Sequence, residues 1–283
     1  MAEPANTPWR RFWELGGWWR SILLAAGYFA VYEVGSLAFL PLALQLQDPA
    51  GPTAVLVLYA LPILLGGVLL VAFAWSVGWL RELFGRQPIA GRGWMWIAVA
   101  VVLVFNVLRL ATIDYPAAGA GLVAAWLLTG LFIGFAEETL TRGLVVTLLR
   151  RAGHREIVVA VVSAAIFAAL HAGNLLTGQA LLPTVLQLGY TFAFGICMYL
   201  TLRVTGNLIW PILLHATTDP SIFLQTTHPT AGPLAQIAGL GNLAVIAVGL
   251  VSIIFIRGRV IAEATRVDPG PLAPAGETGP DRT

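Results

Sequence analysis

Long apolar runs alternate with short polar breaks along the whole of this 283-residue chain. The runs lie at roughly 21–45, 54–80, 94–113, 119–149, 156–172, 183–203, 207–225 and 236–256. Each approaches or exceeds the 20 or so residues that carry a helix across a hydrocarbon core. The breaks between them, such as "QDPAGP", "RELFGRQPIAGRG" and "RRAGHRE", are rich in Pro, Gly and charge, which end helices. The pattern predicts an all-α, polytopic membrane protein of about eight transmembrane helices. No internal repeat or heptad is visible.

Composition supports lipid as the solvent. The chain is 58% hydrophobic and 11% charged, with a mean hydropathy of +0.82, where a soluble domain carries about a quarter charged residues. No basic stripe with interleaved aromatics occurs, which argues against a nucleic-acid partner. A single cysteine, Cys197, leaves no internal disulfide and no CxxC metal site. Every basic residue is Arg, a bias that points to a GC-rich, bacterial source. The N-terminal segment precedes about 25 mostly apolar residues, longer than a 7–15-residue signal core, and no A-x-A site follows. It reads as a retained first span.

Arginine placement sets the expected topology. Of sixteen arginines, all but Arg109 and Arg142 fall in segments that share one side with the N-terminus. The positive-inside rule then puts both termini in the cytoplasm, in a bacterial cell membrane. Trp13, Trp18, Trp19, Trp94 and Trp96 fit interfacial belts, and segment 81–92 reads as a short interfacial helix. The chain divides into N-terminal helices (1–117), a core (118–225), a last span (226–260) and a Pro/Gly-rich cytoplasmic tail (261–283) expected to be disordered.

The ionisable residues left inside the spans are Glu33, Arg109, Glu137, Glu138, Arg142, His171, His215 and Asp219. A charge there costs roughly 2.5 kcal/mol or more on insertion scales, so each is a functional candidate. Glu138 and Arg142 are i,i+4 and share a helix face. Phe167 with His171, and His215 with Asp219, repeat that spacing on two further helices. If the fourth and fifth spans form a hairpin, Glu137 and His171 match in depth: 154 − 137 and 171 − 154 both give 17 residues from His154. At about 1.5 Å per residue, each lies roughly 25 Å from the turn. Because His171 stands just before "GN", either the fourth span is unusually long or the following loop dips into the membrane.

An Arg-paired Glu138 suits a supporting role, whereas Glu137 points about 100° away and has no charged partner one turn distant. A carboxyl group buried beside another acquires the basicity a general base needs near neutrality. Water held between Glu137 and His171 would then attack a carbonyl, with His215 and Asp219 orienting substrate and stabilising the oxyanion. Glu137, His171 and His215, with Asp219 as a further ligand, also form a set compatible with a divalent metal such as zinc. No H-E-x-x-H helix is present, and metal-bound and carboxylate-activated water both remain open. Phe167 reads as packing, Asn174 and Asn207 as helix-end residues, His154 and His228 as loop residues. Glu33 and Arg109 read as a pair or as snorkelling side chains.

Taken in order, "EETLTRG", "FAALH" and "TGNLIWPILLHATTD" resemble the CPBP intramembrane endopeptidases, the family of CAAX prenyl proteases and bacteriocin-processing proteins. The resemblance covers roughly 118–225 and rests on EExxxR, FxxxH and HxxxN or HxxxD. It implies an eight-helix fold with an active site inside the bilayer. It further implies Glu137 as base, His171 as its partner in water activation, His215 and Asp219 on the oxyanion side, and Glu138 and Arg142 in support. Both metal-dependent and glutamate-dependent routes are described for the family. The CAAX enzymes carry Asn where this chain has Asp219, whose ionised carboxylate would repel an oxyanion. The expected function is hydrolysis of a peptide bond in a membrane-associated or lipidated protein or peptide substrate. The alternatives are a non-catalytic membrane scaffold or chaperone on the same fold, and a proton-relay transporter.

Overall fold

A computed structural model of the chain describes residues 7–260; the predicted tail at 261–283 lies outside them. The described residues are helical and contain no strand, only isolated bridges joining Ile113 to Pro229 and Arg155 to Arg259. A short helix, α1 (Pro8–Glu14), leads into α2 (Trp18–Ala43), α3 (Pro52–Ser76), α4 (Gly93–Ala111), α5 (Ala120–Arg151) and α6 (Glu156–Leu175). Then come α7 (Leu181–Thr205), α8 (Ile209–Thr227) and α9 (Pro233–Ile253).

Local chemistry marks the ends. Thr7 Oγ1 accepts from Arg10 N at 3.2 Å ahead of Pro8, the pattern of a capped helix start. Gly206, at φ 74°, closes α7 in the left-handed conformation that a glycine adopts most readily. The predicted interfacial helix at 81–92 shrinks to one turn, Leu80–Leu83, because Gly85, Pro88 and Gly91 break the segment beyond it.

Among the described residues seven helices, α2 to α7 and α9, are long and apolar enough to cross a membrane. The span expected at 207–225 is present as α8, yet it falls outside this group. Its middle, "HATTDPS", is polar, and those side chains turn toward α4 and α5. The choice posed by His171 also resolves: α5 is 32 residues long, roughly 48 Å at 1.5 Å per residue, and α6 ends in a tighter 3₁₀ turn, His171–Leu175.

Helices α5 and α8 pack against each other more extensively than any other pair, and two glycines explain how. A Cβ on Gly134 would stand 2.5 Å from the Ile212 carbonyl oxygen and 2.8 Å from the Ala216 nitrogen; one on Gly130 would collide with Pro220 and Ala216 O. The run "GLFIG" is thus a small-xxx-small interface that admits the α8 backbone. Gly134→Val is expected to lower stability by about 1–3 kcal/mol, since the intruding atoms meet backbone that cannot yield. Unfolding in detergent measures this, and an unchanged midpoint would show that the approach is not needed.

A buried charge network ties the ends of three helices together. Glu156 accepts from Arg150 Nε and Nη2 at 2.9 and 2.8 Å, from Arg203 Nη1 at 3.0 Å, and from the Tyr199 hydroxyl. Arg150 also donates to Gln87 Oε1 at 2.5 Å, and Arg203 to Ala90 O at 3.0 Å. The sequence pattern places Arg150 and Glu156 in a polar break, but both are buried.

Candidate active site

Regular α-helical bonding in α5 gives way at Glu138 to a π-helical stretch, Thr139–Val145. Such widenings occur often at functional sites because they re-aim side chains that a regular helix would stack. Here the stretch is pinned from inside: Thr141 Oγ1 donates to Glu137 O at 2.6 Å, and Ser163 Oγ donates to Thr141 O at 3.0 Å. Arg142 Nη1 donates to Glu138 Oε1 at 3.2 Å and to Thr141 Oγ1 at 2.5 Å, with both charged side chains fully enclosed. Its guanidinium lies 4.6 Å over the Phe167 ring. Phe167 also meets the rings of His171 and His215 edge-on, at 4.9 and 5.8 Å, so it packs the site as expected.

Two imidazoles are held differently. His215, buried on α8, donates from Nδ1 to Glu138 Oε1 at 2.8 Å. Its Nε2 stands 3.6 Å from Glu137 Oε2 and 3.9 Å from Asp219 Oδ2, within ion-pair but beyond hydrogen-bond distance of both. His171 Nδ1 lies 2.9 Å from Phe167 O. A carbonyl only accepts, so Nδ1 carries the hydrogen and, in the neutral ring, Nε2 keeps its lone pair. Asp219 lies within electrostatic reach of His215, Glu137, His171 and Glu138.

Glu137 and His171 open on one cavity of about 520 Å³, whose wall also includes Tyr28, Tyr32, Glu33 and Asn174. The depth match therefore brings these two residues to the same space. His215 and Asp219 do not line that cavity, although His215 Nε2 stands 3.6 Å from Glu137 Oε2 and the Asp219 side chain is about a quarter exposed. Among the described residues no three His, Cys, Asp or Glu side chains form a group arranged to hold a metal ion. Both imidazoles make their hydrogen bond through Nδ1, the posture in which Nε2 of a neutral ring keeps its lone pair for a proton or a metal ion.

Glu33 and Arg109 do not pair. Arg109 is buried and donates to Asn242 Oδ1 at 2.8 Å, joining α4 to α9, while Glu33 faces the cavity. Asn207 ends a helix as expected, its Oδ1 accepting from Ile209 N at 2.8 Å. Residues that the sequence pattern does not single out also shape the site. Asn106 Nδ2 donates to Thr218 Oγ1 at 2.8 Å, Thr217 Oγ1 at 3.0 Å and Leu214 O at 3.3 Å. These bonds brace α8 where Pro220 removes a helical donor. Being uncharged, Asn106 does not stand out among the intramembrane ionisable groups. Tyr28 and Tyr32, stacked at 6.0 Å on α2, are signalled only by i,i+4 spacing in a span that also carries Phe29 and Glu33.

Carboxylates and imidazoles from three helices thus gather in one region among the apolar helices. Residues 119–220 match the family model described as type II CAAX prenyl endopeptidase, Rce1-like. That segment is similar to this membrane-protease family and contains Glu137, Glu138, Arg142, His171, His215 and Asp219. With its seven apolar helices, the chain is an integral membrane protein. Neither a curated protein nor a solved structure matches the chain.

Proposed function

We propose that the protein is an intramembrane endopeptidase that hydrolyses a peptide bond in a membrane-associated or lipidated protein or peptide, using water activated by Glu137 and His171. The reading is carried by one observation: Glu137 and His171, the latter with its Nδ1 committed to a carbonyl, share a cavity wall. Water between them loses a proton to Glu137 as its oxygen adds to the scissile carbonyl carbon. Glu137 then returns that proton to the amide nitrogen as the carbon–nitrogen bond breaks. Glu138, fixed by Arg142 and His215, holds α5 and α8 in register around this step. Both termini are assigned to the cytoplasm of a bacterial cell on the arginine distribution.

Purified protein in nanodiscs, challenged with a peptide library beside Glu137→Gln and under stringent chelation, tests the reading. Cleavage that needs Glu137 and ignores chelation supports it. Cleavage lost to chelation and restored by zinc would move water activation to a metal, and the absence of Glu137-dependent cleavage would favour a scaffold or transporter.

The cavity also favours one substrate chemistry. Its ionisable lining consists of two acids, Glu33 and Glu137, one histidine and tyrosines, with no Arg. A basic side chain near the scissile bond would meet opposite charge and aromatic faces. Glu33→Gln is expected to reduce kcat/KM for Arg-bearing peptides relative to neutral ones about tenfold, a difference of about 1.4 kcal/mol. An unchanged ratio would remove the preference.

A further inference from the structure

Helices that cross in alternation leave their ends on two faces. The α3–α4 and α5–α6 junctions, with the helix ends beside them, carry Arg81, Arg86, Arg92, Arg150, Arg151 and Arg155. The junctions on the other face, 44–51, 112–119, 176–180 and 228–232, hold no arginine. Backbone bonds tie each face together. On the arginine-free face Asp114 N donates to His228 O at 2.8 Å and Thr230 N to Thr112 O at 2.9 Å. On the arginine face Gln87 N donates to Gly206 O at 2.9 Å.

The cavity shared by Glu137 and His171 lies toward the arginine-free face. Its wall includes Ser36 from the second half of α2, Tyr59 from the first half of α3, and Asn174 and Thr177 at and just past the end of α6. His171 itself stands one turn before that end. Tyr59 and Thr177 are exposed, and the Glu137 side chain keeps 23% of its surface. Toward the arginine face the bundle is shut. Leu140, three residues beyond Glu137, is fully enclosed, and so are Leu144, Leu148 and Leu149 further along α5. Trp79 and Leu83 are enclosed with them in one continuous core. The Glu156 network lies past these residues, at the helix ends. A polypeptide arriving from the arginine face would have to part packing as dense as an organic crystal.

We propose that the cavity is served from the face opposite the arginines, so that the substrate is an extracytoplasmic segment of an exported or membrane-anchored polypeptide. A lipidated tail lying in the cytoplasm would meet the closed side. The inference rests on the endopeptidase reading and on the orientation that the arginines assign.

The experiment uses right-side-out and inside-out vesicles from a bacterial host expressing the full chain. One arm labels Thr177→Cys, at the cavity rim, and Arg86→Cys, on the other face, with a sulfonated maleimide that does not cross membranes. Cys197 is enclosed, so wild type supplies the unlabelled blank. Ala50→Cys, exposed in the α2–α3 junction, repeats the measurement should Thr177→Cys fail to fold. Thr177→Cys is expected to react in right-side-out vesicles and Arg86→Cys in inside-out ones. Reaction of Thr177→Cys from the cytoplasmic side, or of both variants from one side, overturns the inference. The second arm offers a membrane-impermeant quenched peptide to wild type and Glu137→Gln. Glu137-dependent cleavage is expected from right-side-out vesicles and should be lost in inside-out ones. The reverse pattern overturns the inference while leaving the endopeptidase reading standing. If Glu137→Gln matches wild type in both vesicle types, that reading falls and takes the substrate assignment with it, whatever the labelling shows.

Discussion

Glu137→Gln should bind its peptide as tightly as wild type and cleave it about 10²–10⁴-fold more slowly, the usual worth of a positioned general base. Glutamine keeps the shape and removes the capacity to take a proton. His171 stands on the same wall, and an imidazole there is a weaker route for the same proton, so the expected loss is large and not complete. Folding should survive: the pinning bond at this residue runs from Thr141 Oγ1 to the Glu137 backbone oxygen, which the variant retains. Single-turnover cleavage beside equilibrium peptide binding separates the two effects. A variant that cleaves at the wild-type rate would remove Glu137 from the chemistry.

The second large effect lies far from the cavity. Glu156→Ala leaves Arg150 and Arg203 buried without their counter-ion. Breaking such an arrangement from one side costs about 3–5 kcal/mol, because the remaining charge has lost both its partner and water. Activity would disappear through unfolding. By contrast, the half-exposed Arg10–Glu14 pair is worth no more than about 1 kcal/mol. Denaturant unfolding in detergent should show Glu156→Ala shifted strongly, and a midpoint equal to wild type would mean that the network holds nothing.

The contrast between these residues explains what could be read from the chain. Glu138 and Arg142 lie four apart, Glu137 and His171 match in depth, and both relations follow from helix geometry within one or two neighbouring spans. Hydropathy likewise gives the helical membrane fold. The Glu156 network escapes such reasoning because its partners are 6, 43 and 47 residues away. No periodicity links them; only the packed bundle does. His215 is legible as a site residue but not in its posture, since which ring nitrogen meets which carboxylate depends on the close approach at Gly130 and Gly134. Glu33 and Arg109 stand out as intramembrane charges. Pairing them by elimination fails because each finds a nearer use, one on the cavity wall and one on Asn242.

Helix α5 holds the site carboxylates at Glu137 and Glu138 and, a few turns later, Arg150, which is clamped to Glu156. Between these two anchors lies the widened stretch Thr139–Val145. Deleting one residue from it would rotate one anchor against the other by about 100° and shift it about 1.5 Å. For this stretch the count of residues is therefore constrained as tightly as their identity, and a neutral-looking indel here would be as damaging as the loss of a carboxylate.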